Sequence, residues 1–181
     1  MRQILILLLW LPVLAACKKN EINALPPATQ EGRNTLGFLL DGKAWVPDGG
    51  GLFVSIKPVE GGYQANYIDT LRNNIWIRAV RKDGAGLDVY LRNVSKVGVY
   101  QLNQITQLTP TILVPLNYAY YHDAKGNYLT NSNHTGTITI TKADTIGKTV
   151  AGLFSFTAQD YSHEQTITIT EGRFDVNFTK Q

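Results

Sequence analysis

Two hydrophobic patterns divide this chain. Ile4 to Leu14 form an almost unbroken apolar run. From Thr35 onward apolar and polar residues alternate in short stretches, the period of a half-buried strand rather than of a helix. Leu36–Leu40 and Lys43–Val46 flank Asp41-Gly42, a dipeptide that supplies the positive φ angles of a tight hairpin turn. Leu52–Lys57, closed by Pro58 and Gly61-Gly62, and then Tyr63–Ile68 read as two further short strands. Ile75, Ile77 and Ala79 share one face of a strand, with Trp76, Arg78 and Val80 on the other. After a turn at Asp83–Gly86, Leu87, Val89 and Leu91 alternate with Asp88, Tyr90 and Arg92. Val97–Leu102 and Leu113–Tyr121 follow, then a turn at Asp123–Gly126 and a short return strand from Tyr128.

The last third is the most regular. Thr137–Thr141 and Thr166–Thr170 alternate Thr with Ile, and Asp144–Gly147 is a turn. Val150–Ala158 sets Phe154 and Phe156 on one face, and Arg173–Phe178 sets Phe174, Val176 and Phe178 on one face against Asp175 and Asn177. On this pattern Asp175 belongs to a solvated surface. Glu171-Gly172 reads as a turn or bulge before the last strand. No window carries a 3.6-residue period. About ten short strands with regular turn signals predict an all-β, single antiparallel β-sandwich, with a small β-barrel as the alternative.

The N-terminal run is about a dozen residues, short of the roughly 20 that span a bilayer. One charge at Arg2, a short apolar middle and small residues at its end describe a signal peptide over residues 1–16. Leu14-Ala15-Ala16-Cys17 resembles the lipobox of bacterial lipoproteins, and Cys17 is the only cysteine in the chain. That resemblance implies cleavage after Ala16 and a lipid on Cys17. Each buried acyl methylene contributes about 0.8 kcal/mol, so more than one chain anchors stably without a transmembrane helix. Residues 17–34, with Pro26-Pro27 and no apolar period, read as a flexible leash, and residues 35–181 as the β domain. Lys18 and Lys19 read as solvated, with anionic headgroups as the alternative contact.

Composition narrows the partners. Lys and Arg number 17 against 14 Asp and Glu, a small excess without the clustered basic patch that nucleic acid requires. The expected partners are the membrane, through the lipid on Cys17, and a glycan or another envelope protein.

Three segments carry a family resemblance: Asn34-Thr-Leu-Gly-Phe-Leu-Leu-Asp-Gly-Lys-Ala-Trp-Val-Pro47, Gly152-Leu-Phe-Ser-Phe-Thr-Ala158 and Ile169-Thr-Glu-Gly-Arg-Phe-Asp-Val176. They resemble a family of small uncharacterised lipoproteins common in Bacteroidota, in which a leash like Leu25–Gln30 precedes the first hairpin. The resemblance implies an envelope location, at the outer membrane, and an all-β domain. It brings no catalytic residues. Leu39 stands where many relatives carry cysteine, so no disulfide forms from that position.

Candidate chemistry is sparse. No Gly-x-Ser-x-Gly elbow occurs. Ser162-His163-Glu164 are sequence neighbours, whose side chains alternate across a strand rather than converge. His122, His134 and His163 lack zinc-ligand spacing, so no metal and no cofactor is expected. Asp83, Asp88, Asp123, Asp144 and Asp160 lie near predicted turns, which turn propensity explains better than calcium does. Glu60, Glu164 and Glu171 are the glutamates of the domain, and spacing does not pair them for glycoside hydrolysis. Tyr118, Tyr120, Tyr121 and Tyr128 crowd one predicted hairpin. If exposed they would stack on sugar rings, and if buried they would pack the sheet. Trp45 and Trp76 are expected in the core. Asp69-Thr70-Leu71 and Asp144-Thr145-Ile146 resemble a short O-glycosylation acceptor of exported Bacteroidota proteins, on Thr70 and Thr145. The expected function is a non-catalytic binding or structural module of the envelope, not an enzyme. The alternatives are a glycan-binding domain of a surface uptake system and a hydrolase with an atypical site.

Overall fold

A computed structural model describes residues 20–50, 55–64, 74–94, 96–103, 117–144 and 146–178. Cys17, Thr70, Thr145 and the signal-peptide segment lie outside the described residues. So do the first half of the expected strand at 52–57, the later part of the one at 63–68 and the first part of the one at 113–121.

The described residues hold eleven strands. They are β1 (Thr35–Leu40), β2 (Lys43–Trp45), β3 (Val59–Gln64), β4 (Asn74–Val80), β5 (Gly86–Leu91), β6 (Gly98–Leu102), β7 (Tyr118–His122), β8 (Asn127–Leu129), β9 (Gly136–Asp144), β10 (Thr149–Asp160) and β11 (Thr166–Asn177). All pairings are antiparallel. They run β2-β1-β11-β10-β8-β7-β5-β4-β3, and β10 also pairs with β9, which pairs with β6. The all-β antiparallel expectation holds. In place of a sandwich of two separate sheets, one continuous sheet curls into a half-barrel. The twelve-residue strand β10 makes this joint, because its first part pairs with β9 and its last residues, Gln159 and Asp160, pair with β8.

Local chemistry explains the elements. Asp41 and Gly42 adopt φ of 48° and 82°, the paired positive angles of the expected hairpin turn. Asp83, Asp123, Asp144 and Asp160 each accept backbone N–H groups from the turns that follow them. Asp88 is a correction: it lies within β5 and pairs with Arg78 across the sheet at 2.7 Å.

β11 is one strand with a bulge rather than two. Leu39 pairs with Thr170 but Gly37 with Arg173, and Phe156 pairs with Ile169 but Phe154 with Gly172. The extra residue sits at Glu171, where φ is +54°. A bulge of one residue flips the alternation. Ile167 and Ile169 therefore face inward before it, and Phe174, Val176 and Phe178 after it.

The concave face holds the core. Phe38 stacks on Trp45 at 4.6 Å between centroids and meets Tyr121 and Phe154 edge-on or tilted. Phe154 contacts Phe174, which joins the two phenylalanine faces. Ile75, Ile77, Ala79, Leu87, Val89 and Leu91 all point inward as the alternation predicts. Tyr63 of β3 meets Phe178 at 4.9 Å across the half-barrel.

β3 departs from expectation, because Gly61-Gly62 lie inside a strand rather than ending one. A Cβ on Gly61 would stand 2.8 Å from the Phe178 ring, and one on Gly62 would stand 2.8 Å from the Trp76 indole nitrogen. These glycines are cut to fit large rings on both faces of the strand. Trp76 is the matching correction: it is half-buried on the convex face over Gly62, not in the core.

The expected leash is also corrected over its described part. Residues 20–23 form one helical turn, and the chain from 24 to 34 lies on the convex side of β1, β2 and β11. Leu25 is buried, and Pro26 packs where a Cβ on Gly37 would stand. Glu21 Oε2 accepts the free edge N–H of Ala44 in β2 at 2.7 Å. Lys142 Nζ donates to the Gln30 carbonyl, and the Asn34 side chain accepts from the Asn177 N–H.

Asp175 holds this strap. Its carboxylate accepts the Thr29 hydroxyl at 2.6 Å and the backbone N–H groups of Glu31, Gly32 and Arg33 at 2.9, 2.7 and 3.3 Å. Asp175 is 1% exposed, so its expected place on a solvated face is overturned. The alternation was right, but the polar face is covered. Burial alone would raise this carboxyl, yet the four donors outweigh it and hold it below its usual value.

Phe174→Ala should cost about 3–5 kcal/mol as a buried phenylalanine. Asp175→Ala should cost about 3 kcal/mol, because it removes the acceptor of four donors whose residues are partly or fully exposed, so that water meets part of a loss of about 1–3 kcal/mol per unmet group. Denaturant melts of the two variants check this, and a cost below about 1 kcal/mol for Asp175→Ala would show the strap to be unimportant. A carboxyl lowered by folding stabilises fully above its unfolded pKa of about 3.9, and that contribution disappears as pH falls through the lower folded value. Acid titration should therefore loosen the strap only below about pH 4, and Asp175→Asn should remove that part of the pH dependence.

Candidate functional site

The four hairpin tyrosines separate. Tyr121 and Tyr128 are buried in the concave core, where Tyr121 packs against Trp45 and Tyr128. Tyr118 and Tyr120 point to the convex face and are half-buried. Tyr118 stacks on Tyr90 at 5.8 Å and 14°. Tyr120 stacks on His122 at 5.3 Å, and its hydroxyl donates to Asn127. A sugar ring needs an open aromatic face, and here the rings cover one another. Burial, then the charge of Asp88, pushes both phenols up, so they stay neutral. The four do not form one exposed platform.

The candidate catalytic groups do not converge. Ser162 donates to Asp160, while the His163 ring meets Gln159 at 3.0 Å. The Ser162 to Glu164 segment is a turn organised by Asp160, which accepts the Glu164 and Gln165 N–H groups. His122 lies over Gly86, where a Cβ would stand 2.6 Å from its ring. His134 is held by a turn whose N–H groups Asn131 accepts. Glu60 lies on β3, Glu164 in the β10–β11 turn and Glu171 in the β11 bulge. Among the described residues no three His, Cys, Asp or Glu side chains group as metal ligands.

Among the described residues, an open groove lies on the convex side of β9, β10 and β11. About 360 Å³ in volume, it is lined by Thr137 and Thr139 of β9, Leu153 and Ser155 of β10, and Thr170, Glu171 and Arg173 of β11. The register puts Thr139, Leu153 and Arg173 in one row across three strands. Leu153 is 46% exposed. Arg173 is held by its own bulge, with Nε donating to the Glu171 carbonyl at 3.1 Å and Nη2 3.7 Å from the Glu171 carboxylate. Phe154 and Gly172 also line it, but the Phe154 ring lies on the concave side of the sheet, where it fills the space beside Gly172 and a Cβ would stand 2.5 Å away.

Chemically this is a shallow site with neutral hydroxyls, one guanidinium oriented beside the Glu171 carboxylate, and one apolar patch. Its size falls in the range of small-ligand sites. Sequence reasoning passed over it. The Thr-Ile alternation of β9 and β11 located its hydroxyl rows, but only the pairing of both strands with β10 brings them together.

The described residues thus form a curled antiparallel β domain with a polar groove on its convex side. Residues 63–176 match the family model described as a domain of unknown function, DUF6252, and the chain belongs to that family. No curated protein and no solved structure matches it. The matched span holds the groove, the bulge and Asp175, and the β1–β2 hairpin precedes it.

Gly172→Ala should destabilise the fold by about 1–3 kcal/mol, the range for overpacking a filled core position, because the added methyl meets the Phe154 ring. Thermal and denaturant melts check this. An unchanged midpoint would mean that the Phe154 ring moves freely within the core.

Proposed function

We propose that this chain is an exported lipoprotein of the bacterial envelope, anchored by lipid on Cys17, whose β domain is a non-catalytic binding module. It is of the kind common in Bacteroidota and belongs at the outer membrane. The lipobox-like Leu14-Ala15-Ala16-Cys17 after a short apolar run supports the anchor.

The groove between β9 and β11 carries the binding reading. Its ligand class is a glycan: Leu153 offers an apolar surface to a sugar ring, while Thr137, Thr139, Ser155 and Arg173 offer hydrogen bonds to hydroxyls. Tyr118 and Tyr120, packed against Tyr90 and His122, are poorer candidates.

Metabolic labelling with a fatty-acid analogue should mark the wild-type chain and not Cys17→Ala, and equal label on both would refute the anchor. Calorimetric titration with envelope polysaccharide fragments tests the groove. Leu153→Ala and Arg173→Ala should each weaken binding about tenfold, close to 1.4 kcal/mol, while Tyr120→Ala leaves it nearly unchanged. Loss of binding in Tyr120→Ala, with both groove variants intact, would move the site to the tyrosine face.

A further inference from the structure

The strap changes where a lipid on Cys17 would hold the domain. It starts beside β2, where Glu21 accepts the Ala44 N–H, and runs back along β1 to Asp175 before the chain turns at Gly32 and Asn34. Ala44 pairs with Leu39 near the Asp41-Gly42 turn. Contacts link that turn to three others. Asp41 exchanges hydrogen bonds with Thr168, close to the β10–β11 turn. Tyr128, beside the β7–β8 turn, donates to Gln165. His122 pairs with Gly86, beside the β4–β5 turn. Thus the strap begins at the end of the half-barrel that carries these four turns. The β9–β10 turn lies at the other end, where Thr149 pairs with Asn177.

Chain length then sets the reach. A free leash from Cys17 to Asn34 would extend up to about 60 Å, but with the strap docked only the three steps from Cys17 to Asn20 remain, about 10 Å at most. That is close to one Debye length at physiological salt. The four-turn end exposes Lys43, Lys82 and Lys125 beside the turn carboxylates Asp41, Asp83 and Glu164, a mixed-charge surface, together with Tyr161, which is 55% exposed. Tyrosine suits the headgroup layer, with an apolar ring and a polar tip.

We infer that the strap, clamped by Asp175, seats the four-turn end of the half-barrel on the lipid headgroups of the membrane that holds the anchor. The occupant of this surface is the bilayer itself. The inference rests on lipidation of Cys17. The domain is then held in one orientation, with the β9–β10 turn farthest from the bilayer, instead of swinging on a leash.

The test uses the full lipidated chain in vesicles of phosphatidylethanolamine and phosphatidylglycerol that carry a headgroup quencher. A fluorophore on Lys125→Cys reports the four-turn end, and one on Ile146→Cys, at a position 93% exposed, reports the other. Quenching should be several-fold stronger at 125. Asp175→Asn, and separately a Gly/Ser insert between Lys19 and Asn20, should level the two. Equal quenching in a wild-type chain that floats with the vesicles overturns the seating. A contrast that survives the insert also overturns it, and this holds even if Asp175→Asn fails to fold. A chain that does not float refutes the lipoprotein reading before any probe is compared.

Discussion

One buried carboxylate organises the entry of the chain into this fold. Asp175 is charged, almost wholly covered, and satisfied by four donors from residues 29–33. A buried charge is tolerated only when hydrogen-bonded, so carboxylate and strap require each other. Without the strap, Asp175 would face solvent on the convex surface and Gly37 would lose Pro26 and Leu25 as its cover. The edge N–H of Ala44 would lose Glu21, leaving β2 as an open template for unwanted pairing.

The same strand supplies the second constraint. The Glu171 bulge turns the inward set from Ile167 and Ile169 to Phe174, Val176 and Phe178, so that one long strand serves two stretches of core. It also aims Arg173 into the convex groove and leaves at Gly172 the space that Phe154 fills. Bulges commonly re-aim side chains beside binding surfaces. Core packing and groove geometry are therefore consequences of one inserted residue, and a change at the bulge would be felt on both faces of the sheet.

Much of this was legible in the residue pattern. The Asp41-Gly42 hairpin and the inward sets of β4 and β5 follow from alternation and turn chemistry alone, while Glu171-Gly172 reads as a turn or bulge, and the register makes it a bulge. What alternation cannot show is what lies over a polar face. Asp175 and Gly37 both sit on the convex side, and a distant segment without periodicity covers them. Gly61-Gly62 misled for a related reason: glycine reads as a break, whereas here Trp76 and Phe178 demand its lack of a side chain. The tyrosines of the β7–β8 hairpin divide by strand parity, but whether an outward ring is open depends on neighbours such as Tyr90, which arrives from another strand. The groove was invisible because Thr-rich strands are ordinary in sheets, and it exists only through the joint pairing of β9 and β11 with β10.

The account turns on whether residues 29–33 are truly clamped to the sheet. Native-state hydrogen exchange of the Glu31, Gly32 and Arg33 amides measures that directly, since each donates to Asp175. The strap predicts slow exchange at these three amides, comparable to the neighbouring β11 amides, and exchange at all three at the rate of an unfolded chain would contradict it.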